Sequence, residues 1–69
     1  MEIVDVRGLS CPLPVIRTKK VIDKGAAEIK VLGNTAVSRE NVSRLAHTCG
    51  YNIKNTVDDK NGWEMILNK

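Results

Sequence analysis

A chain of 69 residues, 42% hydrophobic and 28% charged, has room for one small domain whose burial barely exceeds the conformational entropy lost on folding. Phe is absent and Tyr51 and Trp63 are the only aromatics, so the core falls mainly to Val, Ile, Leu and Ala, and a deep ligand cavity is not expected. A formal net charge of +3, from 11 basic and 8 acidic residues, is too mild a bias to name nucleic acid as the partner.

Residues 2–7, "EIVDVR", read as a strand that Gly8 breaks. Residues 12–24 follow helical spacing and are closed by Gly25. "EIKVL", 28–32, alternates with Ile29 and Val31 on one side, and Gly33 and Asn34 punctuate it. Residues 36–49 are helical again and end at Gly50. "YNIKNTV" and "WEMIL" alternate on either side of "DDKNG", where Asn61 and Gly62 favour the positive backbone angles of a hairpin turn. The order is βαβαββ. Strand–helix–strand units connect right-handed with parallel strands, and the closing hairpin is antiparallel. The expected fold is α+β, a two-layer α/β sandwich with a mixed four-stranded sheet and both helices on one face, as a single domain over residues 1–69. Polar residues alternating through the last two strands fit a partly solvated outer sheet face.

"RGLSCPLPVIRTKK", residues 7–20, sets Cys11 on the turn between the first strand and the first helix. Pro is favoured at the first helical position, so Pro12 there makes Cys11 the N-cap, and Pro14 falls at the third position, where its missing N–H costs no intrahelical bond. The sulfur then faces free N–H groups and the positive end of the helix dipole, which favour a thiolate. Arg7 and Arg17 would add to this field. Placement alone leaves two readings open: a reactive thiol, or a small side chain filling a turn.

Cys49 shares a helical stripe with Val42, Leu45 and Ala46, which makes it a core residue. In the expected topology Cys11 and Cys49 lie at opposite ends of the sandwich, along a helix about 20 Å long, too far for a disulfide. On the first helix Val15, Thr18, Val21 and Ile22 face inward, whereas Leu13 and Ile16 face outward near Cys11. With Arg17, Lys20 and Lys24 beside them they form either a docking patch or scattered surface residues. His47 lies opposite the buried stripe and is assigned no role. The cysteine spacing and the single histidine fit no metal site, so neither a metal nor another cofactor is expected. There is no signal-like stretch and no apolar run near the roughly 20 residues of a membrane helix, so the expected location is the cytoplasm, with no membrane partner and reduced thiols.

"DVRGLSCPLPVIRTKK" resembles the signature of the TusA/SirA-like sulfur-carrier family, a CPxP turn preceded by an acidic residue, an arginine and a glycine. Asp5, Arg7, Gly8, Leu9, Cys11, Pro12 and Pro14 carry the match. "ENVSRLAHTCGY" extends it and is most similar to the N-terminal domain of the YedF branch, associated with selenium metabolism. The resemblance implies the same two-layer sandwich and a persulfide carrier of sulfurtransferase type. In that role, as the resemblance implies it, Cys11 would accept sulfane sulfur from a donor such as a cysteine desulfurase and relay it to an acceptor protein. It also implies that Asp5, Arg7, Gly8, Pro12 and Pro14 support the turn and its thiolate, and that Leu9, Leu13, Ile16, Arg17 and Lys20, beside Arg7, form a partner surface on a monomer. The family's acidic pair followed by proline after the second strand is replaced here by "GNTAVSRE". Two alternatives stand beside the carrier. One is a regulatory or RNA-binding module using the basic helix, which the shortage of stacking aromatics disfavours. The other is a thiol-redox protein, which needs a disulfide at Cys11.

Overall fold

In the computed structural model, which describes residues 1–69 apart from the side chains of Thr56 and Asp59, the expected alternation becomes β1 (Glu2–Asp5), α1 (Leu13–Asp23), β2 (Glu28–Gly33), α2 (Ala36–Thr48), β3 (Asn52–Asp59) and β4 (Gly62–Asn68). The four strands form one sheet in the order β1-β2-β4-β3. β1 and β2 pair in parallel, as a connection through α1 requires, and β4 inserts antiparallel between β2 and β3. α1 and α2 pack against each other. Between them and the sheet lies the core.

The period of two in the strands supplies one wall of that core. Val4 and Val6, Ile29 and Val31, and Trp63, Met65 and Leu67 are buried, and the register pairs Ile29 with Leu67 and Val31 with Met65 across β2 and β4. The helices supply the other wall with Pro14, Thr18 and Ile22 from α1 and Ser38, Val42 and Ala46 from α2. The buried stripe on α2 is thus centred on Ser38, Val42 and Ala46, with Leu45 and Cys49 half-buried at its flank. Buried Thr18 and Ser38 have partners: Thr18 Oγ1 donates to the Pro14 carbonyl at 2.9 Å, and Ser38 Oγ accepts from the Thr35 hydroxyl at 2.7 Å. The opposite face of the sheet is partly solvated. Ile3 is two-thirds exposed there, and Lys30 Nζ lies 3.0 Å from the Glu64 carboxylate.

Each helix ends one residue short of the sequence reading, at Asp23 and Thr48, and the strand boundaries differ most at β1 and at the hairpin. β1 stops at Asp5, although the Val6 N–H still donates to the Leu32 carbonyl at 2.8 Å, because the chain turns there into the Cys11 loop. The hairpin turn falls on Lys60 and Asn61. Gly62 takes a positive φ of 150°, whereas Asn61 does not. Gly62 belongs to β4, and a Cβ on it would meet the Gly33 carbonyl at 2.6 Å.

That close approach is part of a tight junction at the end of β2. Gly33 pairs with Trp63, and the indole lies across the space that a side chain at 33 would fill. The indole N–H then reaches the Thr35 carbonyl at 2.7 Å. Thr35 is the N-cap of α2, its Oγ1 accepting from the Ser38 N–H at 3.2 Å. The buried aromatic therefore fixes where α2 begins. Arg39 of α2 pairs with Asp58 of β3, and the Tyr51 hydroxyl donates to the Ala26 carbonyl, which ties the approach to β3 to the turn after α1.

Candidate functional site

β1 and β2 run in parallel, so the loops that leave their C-terminal ends meet at one end of the sheet. The first of these, residues 6–12, carries Cys11. It is held at several points. The Leu9 N–H donates to the Val6 carbonyl at 3.2 Å, the Leu13 N–H to the Ser10 carbonyl at 2.9 Å, and the Gly8 N–H to Asn34 Oδ1 on the neighbouring loop at 3.3 Å. Gly8 has φ 77°, a conformation that glycine adopts without steric cost.

Asp5 and Arg7 lock the base of the loop. The Asp5 carboxylate accepts from the Arg7 backbone N–H and Nε at 3.0 Å each and from Nη2 at 2.8 Å. These charge-assisted bonds, led by the Arg7 side chain, lower the Asp5 pKa from 3.8 to about 2. The same pairing raises the pKa of Arg7. Arg17 Nη1 of α1 donates to the Asp5 carbonyl at 3.4 Å, joining the first turns of α1 to the end of β1. Both arginines thus hold the loop's frame, with Arg7 engaged by Asp5.

The helix start is shifted by one residue from the sequence expectation. Pro12, not Cys11, is the N-cap, and Pro14 is the second helical residue, buried against the core. The Cys11–Pro12 peptide is cis. No side chain caps the helix. Cys11 is exposed, and its sulfur lies 4.0 Å from Asn41 Nδ2 of α2. An apolar groove of about 370 Å³ opens from it, with Pro12 and Val15 on one side and Asn41, Arg44, Leu45 and Thr48 on the other. None of the polar residues of this wall stood out in the sequence. Their signal was the spacing 41, 44, 45, 48, a stripe beside the buried one, which becomes a groove wall only once α1 is packed alongside.

The remaining expected site residues divide. Leu13 and Ile16 are 48% and 45% exposed, with Arg17 and Lys20 exposed beside them. Leu9 is half-buried against the core, so its side chain supports the loop more than it faces outward. Cys49 is the C-cap of α2 and half-buried. The two thiols are free but closer than opposite ends of the sandwich. Cys11 meets α2 at Asn41, from which the helix rises about 12 Å to Cys49, because the loop carries Cys11 over the middle of α2. A polar recess of about 220 Å³ beside Arg7, Gly33, Trp63 and Glu64 contains no thiol. Among the described residues no cluster of three or more His, Cys, Asp or Glu could hold a metal ion, and no helix is long and apolar enough to cross a membrane.

Three comparisons bear on this arrangement. The family model described as sulfurtransferase TusA matches residues 2–69. A protein of Methanocaldococcus jannaschii bearing the name "putative sulfur carrier protein" is 30% identical over 71 aligned positions, which take in all of this chain and 95% of that protein. The crystal structure of a SirA-like protein from Desulfitobacterium hafniense matches with a TM-score of 0.84 and 32% identity, covering 99% of this chain and 96% of that one.

Proposed function

We propose, because this chain belongs to the TusA family of sulfurtransferases, that it is a sulfur carrier whose Cys11 accepts a sulfane sulfur from a donor such as a cysteine desulfurase and hands it to an acceptor protein. The observation that carries this reading is one exposed thiol on a loop tied down at both ends, with the other thiol half-buried about 12 Å of helix rise away. The Cys11 thiolate attacks the outer sulfur of the donor's persulfide. A new S–S bond forms at Cys11, the donor's S–S bond breaks, and the donor leaves as a thiolate. The persulfide proton travels with the outer sulfur, and no external oxidant or reductant is consumed. Discharge repeats the exchange with an acceptor thiolate as nucleophile and Cys11 as leaving group.

The loop suits both steps. Attack needs an accessible thiolate in reach of another protein, and a fixed loop lowers the entropy cost of presenting it. Exposed Leu13 and Ile16, bordered by Arg17 and Lys20, supply an apolar contact with a basic rim on the same side of α1. The reading sets the protein in the cytoplasm, where thiols remain reduced.

The test is intact-protein mass spectrometry after incubation with a cysteine desulfurase and cysteine, on the native chain and on Cys11→Ser and Cys49→Ser. Gain of one reducible sulfur atom by the native and Cys49→Ser proteins, and none by Cys11→Ser, is the expected result. Equal uptake by Cys11→Ser, or no uptake by any of the three while iodoacetamide still modifies Cys11, overturns the reading.

A further inference from the structure

The groove beside Cys11 has a definite shape and chemistry. Its walls are Pro12 and Val15 on one side and Leu45 with the methyl-bearing Thr48 on the other, and two polar heads, Asn41 and Arg44, stand over it. Asn41 is half-buried, and its amide nitrogen faces the sulfur. Arg44 is exposed and has no carboxylate partner among the described residues. A bare thiol does not need this room. The hydrogen-bonding approach to it from the groove is that of Asn41, at 4.0 Å, long for a hydrogen bond.

A persulfide does need it. The added sulfur stands about 2.05 Å beyond Sγ, and it carries the negative charge when the persulfide ionises. An S–S bond turned toward α2 closes the gap to Asn41 Nδ2 and brings the anionic outer sulfur under a free guanidinium, between apolar walls. We propose that the groove between α1 and α2 is the seat of the outer sulfur, with Asn41 as its positioning donor and Arg44 as its counter-charge. This rests on the carrier reading of Cys11 and adds to it a place for the cargo atom on the carrier itself.

The seat dictates the direction of discharge. Displacement at the outer sulfur requires the attacking sulfur, the outer sulfur and the leaving Sγ to lie nearly in line. With the S–S bond lying along the groove, the acceptor's thiolate must enter along the groove from its far end, past Arg44 and Thr48. Small thiols meet a persulfide that is hydrogen-bonded and flanked by apolar side chains. An acceptor able to insert a cysteine between the helices meets it in line. The groove thus selects against adventitious reduction.

The experiment separates this inference from the carrier reading by making the persulfide chemically. In a Cys49→Ser background, Cys11 is converted to its mixed disulfide with thionitrobenzoate. Hydrosulfide then displaces the thionitrobenzoate anion and leaves the Cys11 persulfide. Two rates are compared for wild type, Asn41→Leu and Arg44→Gln: stripping of the outer sulfur by dithiothreitol, and alkylation of the unloaded thiol by iodoacetamide. Asn41→Leu keeps the wall's bulk and removes the donor. The expected result is stripping about tenfold faster in Asn41→Leu, the size of one lost hydrogen bond to a charged group, and several-fold faster in Arg44→Gln, with the alkylation rate of the bare thiol unchanged. Stripping within twofold of wild type in both variants, or a matching rise in the alkylation rate, overturns the seat. Either result stands whether or not a desulfurase loads Cys11.

Discussion

Replacing Gly33 by alanine inserts a single methyl at the junction that sets the start of α2. The Cβ would lie 2.0 Å from Trp63 Cζ2, 2.3 Å from Cε2 and 2.7 Å from Cη2. Carbon atoms in contact settle near 3.5–4.0 Å, so the indole must move by about 1.5 Å. Gly33 does not occupy the left-handed region, so the cost is steric. Trp63 is 5% exposed, with core on one side and the Thr35 carbonyl on its N–H. Overpacking of this kind costs about 1–3 kcal/mol. Loss of the bond to Thr35 adds about 1 kcal/mol or more by leaving the buried indole N–H unpaired, while the Thr35 carbonyl keeps the Arg39 N–H. The expected destabilisation is about 3 kcal/mol, a large part of the roughly 3–10 kcal/mol that a domain of this size possesses. The melting temperature should then fall by about 10–20 °C.

The assay is urea and thermal unfolding of wild type, Gly33→Ala, Trp63→Leu and the double variant, followed by far-UV circular dichroism. Trp63 is the only tryptophan, so near-UV circular dichroism of Gly33→Ala reports the ring's displacement directly. Trp63→Leu removes the ring atoms that the new methyl strikes. The double variant should therefore be more stable than the sum of the two single changes allows, by about 1–3 kcal/mol. A Gly33→Ala protein within about 1 kcal/mol of wild type, or strict additivity in the cycle, would refute the argument that this contact fixes the junction.

Asp5 should make stability fall with acid. Its pKa is lowered from 3.8 to about 2 by Arg7, so its contribution is fully present above the unfolded value and disappears as pH drops through the folded one. Urea midpoints measured from pH 6 downward should converge for wild type and Asp5→Asn between about pH 4 and 2, and parallel curves across that window would contradict it. Leu13→Glu and Ile16→Glu, both at exposed positions, should leave stability within about 0.5 kcal/mol of wild type. The same changes should raise the KM of the carrier in a desulfurase transfer assay about tenfold, the order expected for losing an apolar contact at an interface. An unchanged KM would remove these two residues from the partner surface.

The fold was readable because its signals were local and mutually consistent. Ile29 and Val31 alternate with polar residues, glycines stand after both helices, and a parallel βαβ unit followed by a hairpin leaves few topologies. What escaped was the part that depends on how the layers meet. The stripe of Val42, Leu45, Ala46 and Cys49 leaves out Ser38, whose hydroxyl is satisfied by Thr35, and that moves the buried face of α2 toward Ser38, Val42 and Ala46. Pro14 reads as a tolerated first-turn residue, yet it is a piece of the core. The one-residue shift of the N-cap from Cys11 to Pro12 matters more. It takes Cys11 out of the helix end and onto the loop, where Asn41 of α2 faces its sulfur. Cys11 was legible because its setting, RGLSCPLP, is contiguous. Asn41 and Arg44 were not, because they reach it only through the packing of α1 on α2.

The position of the second cysteine follows from the same packing and bears on function. A persulfide on Cys11 has an internal hazard. A thiolate from the same chain that reached Sγ would form a disulfide and expel the cargo as hydrosulfide. Cys49 lies about 12 Å of helix rise beyond Asn41, whereas a disulfide needs Cα atoms within roughly 7 Å. It also sits half-buried against the core at the C-cap of α2. Closing the gap would require α2 to slide by about a full turn along α1, against the Thr35 cap, the Trp63 hydrogen bond and the Arg39–Asp58 pair. The contacts that hold α2 in register therefore keep the only other thiol away from the cargo. They also hold Asn41 and Leu45 beside Cys11, so one rigid placement of α2 builds the groove and protects what it holds.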